Sequence, residues 1–490
     1  MKVLIRADAS ATLGVGHVAR CLTLAHALRA QGAQVSFACC LLEGHHRAAI
    51  EAQGFAVHGW APPPSLAGVE PWSQDLAGMG QALPTEARFD WLIVDHYRLD
   101  ARWEHAARAY AQRIAVIDDL ADRGHAADLL LDQNFHASAS AYAVHLAAPC
   151  RLLLGPRYAL VRPAFQRPAQ PAVQGRRVLV SFGGFDVAGM LPRTLQALAE
   201  LDDVQVTCIA GLGATANEAL RRLCAERAGW EWHGFVDDLA QRMAAAQLFI
   251  GAAGGTTWER AAMGLPSLCV SVADNQRAGA LAMAQAGMHL YLGEAAQVGV
   301  SALREAIALL LDNQALRESF AQRSQALVDG RGAERVAVAL CGEQLTLRMA
   351  TSDDAQLLFD GRNAPEVRRR SHQHQALRWG EHQAWLGAVL ADHQRLLLIA
   401  EAADGPVGCL RYDRLPGQRA RVSLYLFAGR FGLGWGSVLL ARGEAWVRER
   451  WPDLLAIEAQ VLPDNLASLH VFTGAGYLQS PCAFERVFQE

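Results

Sequence analysis

The chain has 490 residues, a formal net charge of −4 and a pI near 6.5. Its length exceeds what one hydrophobic core organises and, at about 150 residues per domain, predicts three units. The balanced charge excludes a strong electrostatic footprint for nucleic acid or an anionic membrane surface, so small ligands and their phosphates are the expected partners.

The first predicted element is a buried strand, Val3 to Arg6, followed by Ala7, Asp8 and a loop that carries Gly14 and Gly16. A helix follows from His17, with Val18, Cys21, Leu22, Ala25 and Leu28 at helical spacing. In open α/β folds ligands sit beyond the carboxyl ends of the strands, and His17 lies on that edge. A histidine there suits proton transfer near neutral pH; read alone it fits a capping or packing role better, and the strand, the Gly-x-Gly spacing and the helix start bring the two readings level. Gly14-Val15-Gly16 lacks the third glycine and the ribose acid of a dinucleotide fingerprint.

Strands and helices keep alternating to about residue 164, with Gln34 to Ala38 and Ala56 to His58 as strands and Ala48 to Gln53 as a helix. Trp91 to Val94 and Ile114 to Ile117 are continuous apolar strands, ending in Asp95-His96-Tyr97 and Asp118-Asp119. These acids are candidates for a site or for helix caps. The ten cysteines are scattered with no C-x-x-C pair, which predicts neither a zinc site nor a disulfide framework and suits a reducing cytoplasm. No apolar run reaches the roughly 18 residues of a membrane span.

Gln166 to Gly175, with Pro168 and Pro171, reads as an interlobe linker. A second α/β unit then opens with the strand Arg177 to Phe182 and the turn Gly183-Gly184, followed by the strand Val204 to Ala210. Its most informative stretch is Leu248-Phe249-Ile250 followed by Gly251-Ala252-Ala253-Gly254-Gly255-Thr256-Thr257-Trp258-Glu259, and it closes with Asp274-Asn275-Gln276. Gly254 and Gly255 let backbone amides approach a phosphate, and Thr256 adds a hydroxyl. Glu259 is placed to accept from ribose hydroxyls, and Asn275 and Gln276 to reach a diphosphate or sugar from the side.

This second lobe resembles the nucleotide lobe of GT-B glycosyltransferases, especially the lipid II-forming N-acetylglucosaminyltransferases. Residues 1 to about 340 resemble more closely the pseudaminic acid pathway hydrolases that act on UDP-2,4-diacetamido-2,4,6-trideoxy-β-L-altropyranose. The resemblance rests on Arg6-Ala7-Asp8, Gly14-Val15-Gly16-His17, Val94-Asp95-His96-Tyr97, Ile117-Asp118-Asp119, Gly155-Pro156-Arg157-Tyr158, Ser181-Phe182-Gly183-Gly184 and Ala253 to Glu259. It implies release of UDP from a UDP-sugar with inversion, His17 activating the water. It also implies that Asp8, Gly16, Asp95, Tyr97, Gly183 and Gly184 join Gly254, Gly255, Thr256, Glu259, Asn275 and Gln276 in binding substrate. No metal is expected: there is no obvious acidic cluster for magnesium, and Asp118-Asp119 alone is weak evidence for one.

From Leu345 a new pattern begins, with strands at Leu396 to Ala400, Pro406 to Arg411 and Arg421 to Phe427, then Arg430-Phe431-Gly432-Leu433-Gly434-Trp435-Gly436 and an apolar helix. A strand, a loop with alternating glycines and a helix form a pyrophosphate cradle. With Asp464-Asn465 and the helix that follows, this segment resembles the GNAT acetyltransferases. The resemblance implies acetyl-CoA held at Phe431, Gly432, Leu433, Gly434 and Gly436, with Asn465 near the pantetheine arm. Phe431 stands where Arg or Gln is usual, and Phe472 where a tyrosine often protonates the leaving thiolate. Glu458 is a possible base, or an ordinary strand glutamate.

The expected architecture is therefore α/β: two Rossmann-like, GT-B-like lobes at 1–164 and 175–340, then an α+β GNAT domain at 345–490. The expected chemistry is bifunctional: acetylation of a UDP-linked 4-amino sugar, then hydrolytic release of UDP. A glycosyltransferase whose GNAT domain serves another amine, or a non-catalytic nucleotide-sugar-binding protein, are the alternatives. Oligomeric state is left open.

Overall fold

The apolar strands of the first lobe pair as their burial on both faces requires. The computed structural model describes residues 1–10, 13–63, 70–166, 175–183, 186, 188–211, 218–479 and 484–487. Strands β1 (Lys2–Ala7), β2 (Gln34–Cys40), β3 (Ala56–Trp60), β4 (Phe89–Asp95), β5 (Ala111–Ile117), β6 (Leu129–Asp132) and β7 (Arg151–Leu154) form one sheet. Its order is β3-β2-β1-β4-β5-β6-β7. β1 and β4 run parallel, with Val3 opposite Trp91 and Ala7 opposite Asp95. Leu4, Ile5, Leu92, Ile93 and Val94 are buried along both strands. The order reverses direction between β1 and β4, so a crevice opens at their carboxyl ends.

The second lobe repeats the plan. Strands β8 (Arg176–Ser181), β9 (Val204–Ile209), β10 (Trp230–His233), β11 (Leu248–Ala252), β12 (Ser267–Ser271) and β13 (Leu290–Glu294) lie in the order β10-β9-β8-β11-β12-β13. Here the reversal falls between β8 and β11, the strands that feed Gly183 and the Gly254-Gly255 turn. Gly251 sits opposite Ser181. A Cβ there would come within 1.9 Å of the Ser181 carbonyl oxygen, so only glycine allows this pairing. Ala159, Val161 and Phe165 pack into one core with Leu179, Phe249, Met263 and Met288. The second lobe thus takes its apolar anchors from the chain ahead of the 167–174 stretch; most of the expected linker lies outside the described residues.

The third sheet is mixed. Strands β14 (Thr346–Met349), β15 (Arg395–Ala402), β16 (Gly405–Leu415), β17 (Arg419–Leu426), β18 (Ala456–Ala459), β19 (Leu478–Gln479) and β20 (Phe484–Val487) lie in the order β14-β15-β16-β17-β18-β20-β19. β17 and β18 are parallel, and their register runs only from Arg419 opposite Ala456 to Val422 opposite Ala459. β17 then continues to Leu426, so the two strands part midway. The chain divides into two compact units, one of residues 2–25 with 35–333 and the other of residue 1, 26–34 and 334–490. No helix among the described residues is long and apolar enough to cross a membrane.

Candidate functional site

In the first lobe the crevice is built by two strand ends. The loop after β1 leads into the helix Gly16–Ala30, which puts His17 in its first turn, and β4 ends at Asp95. His17 Nδ1 lies 2.6 Å from Asp95 Oδ1. Arg20, one turn along the helix, donates from Nε and Nη2 to the two Asp95 oxygens, each at 2.6 Å, and from Nη1 to Asp119 at 3.0 Å. The Tyr97 ring meets His17 edge-on at 4.7 Å, and its hydroxyl donates to Asp119 at 3.3 Å. Burial alone would push the Asp95 acid up, but the Arg20 charge and the hydrogen bonds from Arg20 and His17 hold it well below the usual carboxylate range. An ionised Asp95 keeps the proton of His17 on Nδ1, and Nε2 carries the lone pair.

His17, Asp95 and Tyr97 therefore form one constellation, and Gly16 opens its helix. Asp8 is placed differently. It is 2% exposed, bidentate to Arg6 at 2.5 and 2.8 Å, and accepts from the Cys40 amide at 2.8 Å. Arg6 also binds Asp75 and lies 4.7 Å from the centre of the Trp60 ring. This carboxylate is committed within the lobe.

In the second lobe Gly183 follows β8 with φ +93°, in the left-handed region that favours glycine. Gly184 lies outside the described residues. After β11 the turn presents Gly254 and an exposed Gly255, and a Cβ on Gly255 would meet nothing within 4 Å. Gln276 Nε2 lies 3.5 Å from where a Gly254 Cβ would stand, and Oε1 of Gln276 accepts from the Val272 amide at 3.1 Å. The donor end of Gln276 is thereby presented to the turn. Thr256 precedes the helix Thr257–Met263 with no side-chain cap, so its hydroxyl is not spent on that helix. Asn275 is exposed in the first turn of the helix Asp274–Gln285. Glu259 accepts from Arg162 at 2.9 Å; burial raises its acid, and Arg162 opposes that shift.

In the third sheet Gly432 and Gly434 adopt φ +72° and +97°, and Gly434 caps the helix Trp435–Arg450 with no side-chain cap hydrogen bond. A Cβ on Gly436 would stand 3.2 Å from Val471. The uncapped first turn suits the pyrophosphate of acetyl-CoA, a cofactor that would supply an activated acetyl thioester. Leu433 is buried and Phe431 half-buried, so only their backbone is suited to that ligand. Asn465 caps the helix Leu466–Gly474 by accepting from Ser468 and lines the cavity where β17 and β18 part. Phe472 lines the same cavity and packs edge-on to Tyr477 at 5.0 Å, so it brings no hydroxyl. Glu458 is held by Arg421 at 2.8 Å and Arg419 at 3.0 Å on the neighbouring strand, the ordinary strand role. Among the described residues no group of three or more His, Cys, Asp or Glu side chains is arranged to hold a metal ion.

The UDP-2,4-diacetamido-2,4,6-trideoxy-beta-L-altropyranose hydrolase of Campylobacter jejuni is 30% identical over 225 residues, 46% of this chain and 73% of its own length. The chain belongs to the family of that hydrolase. A spore coat polysaccharide biosynthesis protein of Bacillus subtilis, SpsG, is 28% identical over 195 residues, 39% of this chain and 58% of its own length. Residues 182–335 match the glycosyltransferase family 28 C-terminal domain, and residues 344–477 match the acetyltransferase (GNAT) domain. The crystal structure of MurG from Acinetobacter baumannii shares the two-lobed fold, with a TM-score of 0.52 at 16% identity over 69% of this chain and 98% of that one. This member of the hydrolase family is thus an enzyme with a sugar-nucleotide-related unit and a GNAT acetyltransferase domain.

Sequence reasoning missed Arg20, although its position three residues after His17 puts both on one helix face. It also missed Arg162 as the partner of Glu259, for which spacing carried no signal.

Proposed function

We propose that residues 1 to about 340 release UDP from a UDP-linked 2,4-diacetamido-2,4,6-trideoxy sugar by attack of water with inversion. The observation that carries this reading is the 2.6 Å contact of His17 Nδ1 with Asp95: the carboxylate only accepts, so Nδ1 holds the proton and Nε2 is left to accept one. Water gives that proton to Nε2 as its oxygen bonds to the anomeric carbon, and the bond to the UDP oxygen breaks on the opposite face. The diphosphate leaves as an anion, and the turn at Gly254, Gly255 and Thr256, the amide of Gln276 and Asn275 are suited to receive its charge. Gly183 borders the same strand reversal, and with Gly184 it is assigned to substrate binding. Glu259 takes the ribose hydroxyls in exchange for Arg162, and Tyr97 packs the imidazole in place.

The GNAT domain, by the same proposal, acetylates the 4-amino group of the UDP-linked precursor, so the chain joins consecutive reactions on one sugar. By the same reading the protein acts in the cytoplasm. The test is UDP release from a panel of UDP-N-acetylated sugars, repeated with His17→Asn. Turnover is expected to fall by about 10² to 10⁴ with binding retained; unchanged turnover overturns the assignment.

The family 28 match at residues 182–335 favours a second reading, transfer of the sugar to an acceptor hydroxyl. Free reducing sugar formed from the UDP-sugar with no acceptor present decides for hydrolysis.

A further inference from the structure

The cavity between the parting strands β17 and β18 has a volume of about 530 Å³. The helix Ala355–Asn363 contributes Arg362 to its wall, and the helix Trp379–Ala391 contributes Glu381, His382 and Trp385. Two buried polar atoms on these lining side chains have no hydrogen-bond partner, Arg362 Nη1 and His382 Nδ1. Arg362 Nη2 donates to the Gln373 carbonyl at 3.2 Å, and the guanidinium makes no ion pair among the described residues. His382 is 3% exposed, and its Nε2 lies 2.9 Å from the Ala355 carbonyl oxygen. A carbonyl only accepts, so Nε2 carries the proton and Nδ1 is a lone pair with no donor.

Buried polar groups in native proteins are almost always satisfied, so each exception calls for a water, an ion or a ligand to complete it. One wall here offers an unmatched cation and an unmatched acceptor. The other arginine nearest the aromatic wall, Arg411, is already paired with Asp413 at 2.9 Å and lies 5.9 Å from the centre of the Trp385 ring. Glu381 is the one carboxylate among the lining residues, and it is exposed.

We propose that this cavity takes the amine that is acetylated, with Arg362 binding an anionic oxygen of that acceptor and His382 Nδ1 accepting a hydrogen bond from its amino group. The acceptor class is then an amine that also carries a phosphate, with Trp385 as a flat wall for a sugar ring, and a polycation is disfavoured. This rests on the acetyl-transfer half of the function proposed above and adds the residues that read the substrate.

The test uses the full chain with acetyl-CoA and three acceptors: the UDP-linked 4-amino sugar, the same sugar with a free anomeric hydroxyl, and spermine. Acetylated product is read by mass. The wild type is expected to favour the linked sugar at least about tenfold in kcat/KM, as loss of a charge-assisted contact implies. Arg362→Gln should raise KM for the linked sugar about tenfold, and leave KM for acetyl-CoA and kcat/KM for the free sugar within about twofold. His382→Gln keeps a donor for Ala355 but shifts the acceptor from the Nδ1 position to an amide oxygen, so KM for both sugars should rise with that for acetyl-CoA unmoved. Calorimetry with the 4-amino sugar 1-phosphate, which has the charge without the uridine, should show the same loss in Arg362→Gln. Equal use of linked and free sugar by the wild type overturns the Arg362 assignment and leaves sugar acetylation standing. Acetylation of spermine alone overturns both. If either variant fails to fold, the wild-type preference decides.

Discussion

His17 Nδ1 and Asp95 Oδ1 lie 2.6 Å apart across the point where the first sheet reverses its strand order, one residue supplied by the helix after β1 and the other by the end of β4. Asp95 also takes two hydrogen bonds from Arg20, so its charge is balanced and its position fixed. Asp95→Asn removes the charge that keeps the His17 proton on Nδ1. UDP release is expected to drop by about 10² to 10⁴, with UDP affinity by calorimetry changed less than about threefold. Turnover that survives the substitution removes the dyad from the mechanism.

Two glycines four residues apart separate folding from binding in the second lobe. Gly251→Ala would drive a methyl into the Ser181 carbonyl at 1.9 Å and pry β11 from β8, a loss of at least about 3 kcal/mol. Gly255→Ala meets no neighbouring atom, so the melting temperature should hold. Its methyl would instead occupy the approach of a phosphate to the turn, and UDP affinity should fall about tenfold. Paired melts and titrations check both, and an unaltered UDP affinity in Gly255→Ala removes the turn from the binding site.

The lobes were legible because buried parallel strands are apolar runs with polar ends, as at Leu92 to Asp95. The short runs Leu129 to Leu131 and Leu152 to Leu154 carry the same signal but sit at a length where periodicity decides little, and β6 and β7 emerge only in the structure. Asp8 stands where a strand-end ligand residue would, yet Arg6 and the Cys40 amide hold it, and Arg6 is itself held by Asp75 and stacked near Trp60, so the arrangement depends on separate elements. Arg362 and His382 were invisible for the same reason. Each belongs to an ordinary helix, and only the packing of those two helices on each other and on the sheet brings them to one cavity.

Glu458→Gln tests whether the strand glutamate acts in acetyl transfer. Its carboxylate is 13% exposed and is shared between Arg419 and Arg421. Loss of that charge should lower stability by about 1 kcal/mol, since both arginines reach solvent. The kcat of acetylation and its pH profile should stay within about twofold of wild type. A shifted pH profile would make Glu458 the base.

The hydroxyl of Tyr142 lies 3.0 Å from Asp118 Oδ2 and 3.1 Å from Asp132 Oδ2. One hydroxyl proton satisfies one acceptor, so the trio is complete only when a carboxyl is protonated and donates to the phenol oxygen. Burial, with Asp119 and Asp118 nearby, raises Asp132 from 3.8 to about 6, whereas Arg123 and the Ala121 amide outweigh burial and hold Asp118 low. Asp132 is thus the proton carrier. A folded-state pKa raised above the unfolded value gives stability that is full below about pH 4 and is lost as pH climbs through 6, at most about 3 kcal/mol. Asp132→Asn keeps an acceptor for the Asn134 amide and a permanent donor for Tyr142. Urea midpoints compared between pH 4 and 7.5 should therefore fall less steeply in the variant, which becomes the more stable protein at pH 7.5. Parallel pH curves for the two proteins would show that Asp132 is ionised throughout and that the hydroxyl is shared in some other way.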